Sequence, residues 1–247
     1  DEFSEDMGYD VAEETFEEEV PEIEEEEIPE EEEILEEEEI PEEEEIPEEL
    51  ILETRIFHFG TLSMTHEKVR RATKKAVAIA KQAGAIISFD PNIREPLWNS
   101  MDEAREQVLY GLGQCHILKI SDNEIQWLTG KNDYTEAVKW IREKYDIPLI
   151  LVSMGKEGSR AYYQDRMVEK APFINENTIE TTGAGDTFCA CVLHYICKHG
   201  LENLTEKNLK EMLTYANAAA SIITTRKGAL RVMPRPEEIE ALIAGHH

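Results

Sequence analysis

Residues 1–53 hold 30 acidic side chains and not one Lys or Arg. So much like charge on so few apolar residues cannot bury enough surface to offset the entropy of folding. The remaining 194 residues carry 24 acidic and 25 basic side chains, so the net charge of −29 belongs almost wholly to an acidic arm. Those 194 residues suffice for one domain with its own core. The overall charge argues against nucleic acid, which needs basic surface to displace counterions. It also argues against anionic membranes. Both exclusions weaken when applied to residues 54–247 alone. No apolar run approaches the length of a membrane helix, and the first residues are acidic rather than signal-like. Four cysteines in 247 residues suggest no disulfide scaffold, and the expected compartment is a reducing cytoplasm. His246-His247 reads as the start of an affinity tag as readily as native sequence.

From Ile28 the arm repeats every six residues, with Ile28-Pro29, Ile34-Leu35, Ile40-Pro41 and Ile46-Pro47 separated by four glutamates each. Six residues turn about 240° on an α-helix, so the isoleucines share no helical face. Polyproline II would align them, and charge repulsion favours an extended chain. Residues 1–49 are therefore expected to be mostly disordered. The arm suits a basic partner or divalent cations, and its regularity equally suits an artificial or substituted segment.

At Thr54 the texture changes. Strands are expected at 55–59, 85–89, 116–120 and 148–153, with a hairpin over 159–164 and 167–171. Helices are expected at 67–83, 101–112, 122–128, 135–144, 184–198, 206–225 and 236–243. This alternation predicts an α/β fold: a doubly wound, mostly parallel sheet flanked by helices. Such sheets place their sites in loops at the carboxyl ends of the strands. Here those loops are 90–98, 121–124, 153–158 and 181–186.

Thr181-Thr-Gly-Ala-Gly-Asp-Thr-Phe188 leads directly into an apolar helical stretch. Small residues let a backbone approach a ligand, and free N–H groups at a helix start attract an anion. Asp186 would sit beside that anion, where a base for a hydroxyl nucleophile is needed. It would equally serve as a simple helix-start carboxylate. No P-loop pattern occurs. Cys189, Cys191, Cys197, His194 and His199 match no zinc spacing, and buried thiols on one helix stripe explain them.

Ile179-Glu-Thr-Thr-Gly-Ala-Gly-Asp-Thr-Phe188 closely resembles the C-terminal signature of the ribokinase-like (PfkB-type) carbohydrate kinases. Phe89-Asp-Pro-Asn-Ile-Arg-Glu-Pro-Leu-Trp98 resembles the fructokinase branch. Lys119–Gly130 and Val152–Gly158 agree, in the right order. The resemblance covers about 54–245. It implies ATP-dependent phosphorylation of a sugar hydroxymethyl group, fructose to fructose 6-phosphate first among acceptors. Asp186 is then the base, and the amides of Gly183, Ala184 and Gly185 form the anion hole. Glu124 organises Mg²⁺ through water, although Ser121 stands where Asn is commonest and Ser121-x-x-Glu124 is itself a capping box. Asp90, Asn92 and Arg94 face phosphates and sugar, or else form an ion-paired loop. Ser153, Gly155, Gly158, Asn217 and Ala220 border the nucleotide, although a tight turn and a small-residue packing face explain them equally. A monovalent cation such as K⁺ belongs beside the anion hole, with Glu180 replacing the usual Asp.

The resemblance also implies a hundred or more residues before the strand at 55–59, supplying further strands, a β lid and the sugar-gripping residues. The arm cannot supply a central parallel strand, which should be a continuous apolar run. The expectation is thus an intact nucleotide half and a missing sugar half, with the lid-built homodimer in doubt. The alternatives are a nucleotide-binding fragment or engineered chain with little turnover, a 2-keto-3-deoxygluconate kinase, and an interaction protein acting through its arm.

Overall fold

The computed structural model describes residues 46–228 and 230–246; the six-residue repeats before Ile46 lie outside the described residues. Six strands form one sheet in sequential order: β1 (Ile56–Gly60), β2 (Ile86–Asp90), β3 (Ile117–Ser121), β4 (Leu149–Ser153), β5 (Ser159–Tyr163) and β6 (Arg166–Lys170). β1 to β4 run parallel, and β5 and β6 complete the sheet as an antiparallel hairpin. The helices between parallel strands are α2 (Glu67–Gln82), α3 (Met101–Leu112), α4 (Asp122–Thr129) and α5 (Tyr134–Arg142). After the hairpin come α6 (Ala184–His199), α7 (Glu206–Ile223) and α8 (Pro236–Ala244).

Right-handed crossovers between strands laid down in sequential order send every connecting helix to one face. That face buries Ile87, Phe89, Leu118, Ile120, Ile150 and Val152 against α2 to α5. Residues of opposite parity, among them Ile117, Leu149, Leu151 and Tyr163, pack with α6 and α7 on the other face. Central strands buried on both faces must be apolar at every position, and β4, Leu-Ile-Leu-Val, satisfies this with all four side chains fully buried.

The helix boundaries follow local chemistry. Ser100, Ser121, Asp133 and Thr205 each cap the backbone three residues on, as short polar side chains at a helix start do. Gly130 closes α4 in the left-handed conformation at φ 67°.

One element was not expected. A short helix, α1 (Glu48–Leu52), lies inside the segment assigned to the arm. Its Ile51 is buried with the core, and Glu48 pairs with Lys75 on α2 at 3.1 Å. The folded region therefore reaches back past Thr54 to Ile46, which also packs on this core. Glutamate-rich sequence hides this, because the apolar face is completed by α2 and not by the arm itself.

Candidate active site

The face of the sheet beneath α6 is apolar at its lower end, with Ile56, Ile86 and Ile117 packed in the core. Strand alternation carries the same face upward to His58, Ser88, Asp90, Lys119, Ser121 and Ser153. It therefore turns polar at the carboxyl edge, where α6 begins.

Gly183 precedes α6 with φ 77°, a left-handed conformation that a side chain disfavours. The Ala184 N–H donates to Thr181 O at 3.2 Å, so among the three amides expected to form the anion hole this one has a protein partner. The N–H groups of Gly185 and Asp186 lie in the first helical turn, where no intrahelical carbonyl can reach them. Asp186 is exposed on that turn.

Beneath the loop lies a buried ion pair. Lys119 Nζ contacts Asp90 Oδ2 at 2.9 Å, and both side chains are at most 7% exposed. Burial opposes the Lys119 charge, but the Asp90 and Glu124 carboxylates outweigh it and hold the pKa above the ordinary lysine value. For Asp90 burial wins, raising the pKa to about 6 against the pull of Lys119. Of the two expectations for Asp90, facing phosphates or joining an ion pair, its contact with Lys119 agrees with the second. A carboxylate facing a phosphate would repel it, whereas a buried ammonium requires a counter-ion. Lys119 was missed in the sequence. Its signal was a lone charge inside the otherwise apolar run Ile117-Leu-Lys-Ile120.

On β1, His58 Nδ1 lies 3.0 Å from Ser88 Oγ. Desolvation lowers its pKa, with Asp186 opposing and Lys119 adding to the shift. Burial pushes the Cys189 thiol up to about 12. Among the described residues no group of three or more His, Cys, Asp or Glu is placed to hold a metal.

Glu124 forms the capping box. Its Oε2 accepts from Ser121 N at 2.9 Å and Ser121 Oγ at 2.7 Å, and its Oε1 accepts from Ile93 N at 2.8 Å. The same carboxylate thus fastens loop 91–94 to the start of α4. In that loop Asn92 takes φ 46°, and the exposed Arg94 donates to Ile93 O at 3.2 Å.

Of the residues expected around the nucleotide, Ser153, Gly155 and Gly158 lie at the turn from β4 to β5, and Asn217 reaches it from α7. Ser153 pairs in register with Ser121 and Ser159. Asn217 is buried, accepting from Ser159 Oγ at 2.8 Å and donating to Ala171 O at 3.0 Å. Its side chain stitches α7 to the hairpin. Gly158 has φ 98°, and a Cβ there would lie 2.2 Å from Lys170 O. Gly155 has φ 54° with open space around it, and Ala220 packs partly into the α6–α7 core. Glu180 meets the C-terminal loop: Gly228 N–H donates to its Oε1 at 3.0 Å, and Glu180 N–H to Thr224 O at 3.2 Å. An open cavity of about 780 Å³ lies nearby, lined by Arg226, Arg231 and Arg235 among others.

The sequence profile of the pfkB family carbohydrate kinases matches residues 28–236. The chain belongs to the pfkB family. Fructokinase-1 of Zea mays is 38% identical over 194 residues, 78% of this chain and 60% of that protein. A shorter Arabidopsis thaliana relative, numbered 8 in that plant's fructokinase series, is 36% identical over 182 residues and is covered over 86% of its length. The Vibrio cholerae O395 fructokinase bound to fructose, ADP and calcium superposes with TM-score 0.69 at 27% identity, over 76% of this chain and 60% of that one. Its double mutant, bound to fructose, ADP and potassium, gives TM-score 0.70 at 26% identity, over 77% and 60%. The chain spans about 60% of the length of most of the curated relatives it matches. These pfkB relatives agree with the ribokinase-like α/β fold and the fructokinase branch that the motifs suggested. No helix among the described residues is long and apolar enough to cross a membrane.

Proposed function

We propose that the chain carries the nucleotide and acceptor-base side of an ATP-dependent sugar kinase that converts fructose to fructose 6-phosphate. The observation that carries this reading is the exposed Asp186 carboxylate on the first turn of α6, directly after the left-handed Gly183. In that place Asp186 accepts the proton of the attacking hydroxymethyl group as its oxygen bonds to the γ-phosphorus of ATP and the bond to the ADP oxygen breaks. The Gly185 and Asp186 amides and the helix dipole receive the charge on the transferring phosphoryl group. Little covalent work falls to the protein, since phosphoryl transfer is governed by positioning and charge. Gly155, Gly158 and α7 form the wall along which the adenosine lies. Asn217 and Gly158 act there by holding the wall in shape, Arg94 and Asn92 on the loop rim.

Mg²⁺ neutralises phosphate charge in such a transfer. Glu124 already accepts three protein hydrogen bonds, so its fit is to a metal-bound water and not to the ion itself, and Mg²⁺ retains its waters readily. K⁺ would be held where the Glu180 carboxylate meets the C-terminal loop.

A coupled ADP-release assay over a sugar panel tests the reading. Fructose-dependent release that falls about 10²–10⁴-fold in Asp186→Asn is expected. Equal release in the variant refutes the base assignment, and preference for 2-keto-3-deoxygluconate refutes the acceptor. ATP binding without ADP release would instead support a nucleotide-binding chain with little turnover.

A further inference from the structure

Gly185 is the second residue of α6. Its backbone does not need glycine, since it is helical. What it needs is space: a Cβ at this position would lie 3.2 Å from Lys119 Nζ and 3.9 Å from Lys119 Cε. Apart from the adjoining residues and the helix's own backbone, these are the protein atoms within 4 Å of that point. The ammonium, not its partner carboxylate, is therefore the end of the ion pair that faces the loop. Asp90 engages it through Oδ2 alone, while Asp90 Oδ1 is buried with no hydrogen-bond partner among the described residues. A buried dipole thus stands under the start of α6 with its positive end towards the two free amides.

We propose that Lys119 is a positioning residue that charges the Gly183–Asp186 loop from below, favouring a terminal phosphoryl group there, and that Asp90 tempers this charge. The proposal rests on the reading of that loop as the phosphoryl site. It deepens that reading by assigning the glycine at 185 to the close approach of an ammonium. The other groups near the pair are Glu124 on α4, Asp186 and Cys189 on α6, and His58 on β1. Of these, Glu124 and Asp186 are acidic, so Lys119 is the one cation in this set whose charge does not depend on pH near neutrality.

The test compares dissociation constants of Mg²⁺-AMP-PNP and Mg²⁺-ADP by calorimetry for four proteins: wild type, Lys119→Met, Asp90→Asn and the double variant. The expected result is that Lys119→Met weakens AMP-PNP about tenfold and ADP less than about threefold, since the ammonium lies nearest the terminal phosphoryl group and Coulomb energy falls with distance. Asp90→Asn tightens AMP-PNP, and the double variant stays as weak as Lys119→Met. A merely structural ion pair predicts the opposite pattern: each single change weakens both nucleotides alike, and the double variant recovers because no buried charge is left unpaired. That pattern overturns the proposal. Should Lys119→Met alone fail to fold, Asp90→Asn against the double variant isolates the same ammonium, and equal affinities there overturn the proposal. A wild-type chain that binds neither nucleotide refutes the kinase reading as well, whereas wild-type binding unchanged in Lys119→Met refutes only the role of Lys119.

Discussion

Gly158→Ala should be among the most damaging single-atom-group additions in the hairpin region. Gly158 sits at φ 98°, ψ −136°, a region that costs a non-glycine residue about 1–3 kcal/mol. The added Cβ would also lie 2.2 Å from Lys170 O and 3.0 Å from Ala171 C and Pro172 N. All three are backbone atoms, so relief requires moving the end of β6 by roughly an ångström and not a rotamer change. That movement strains the bond from Asn217 Nδ2 to Ala171 O and the one from Met154 N to Gly158 O at 2.9 Å, each worth about 1 kcal/mol. The expected loss is about 3–5 kcal/mol, a large share of a domain's usual 5–15. Gly155→Ala is the internal control: its φ is 54° but no atom lies within 4 Å of its Cβ, so about 1 kcal/mol is expected. Urea unfolding followed by tryptophan fluorescence measures both. A loss below about 1 kcal/mol for Gly158→Ala, at an unchanged m-value, would refute the claim that backbone collision dictates this glycine.

Asn217→Ala strands the Ser159 hydroxyl and the Ala171 carbonyl in a buried junction and should cost about 2 kcal/mol or more by the same assay. Glu124→Ala removes three accepted hydrogen bonds and should destabilise the chain by about 2 kcal/mol even without Mg²⁺; a loss seen only with Mg²⁺ present would assign Glu124 to the metal alone. Asp90 has a folded pKa of about 6 against a starting value of 3.8, so the native state holds the extra proton between those values. Its contribution is fully present below about pH 4 and is lost as pH rises through 6, a difference of at most about 3 kcal/mol. Denaturant titrations of wild type and Asp90→Asn across pH 4–7 should show stability falling with pH in the wild type relative to the variant.

Much of the fold was legible because its signals are local. The hydrophobic spacing of 67–82 and the caps at Ser121 and Gly130 fix helices without tertiary help. The four parallel strands were read as starting one residue early and β6 one residue late, since pairing partners across the sheet decide where a ladder starts. α1 was not legible because Ile51 finds its partners across the fold, and the same holds for Asn217, whose bonds span 46 and 58 residues. Lys119 shows the limit for the site. A lysine in an apolar strand signals a cost, but only the fold reveals Asp90 as its counter-ion and Gly185 as the space it occupies.

A crystal structure with Mg²⁺-AMP-PNP would show whether the start of α6 is the phosphoryl site. The γ-phosphoryl oxygens are expected within hydrogen-bond distance of the Gly185 and Asp186 amides, above Lys119, with the adenosine along the β4–β5 turn and α7. A nucleotide seated elsewhere, for instance with its phosphates in the cavity lined by Arg226, Arg231 and Arg235, would contradict that placement.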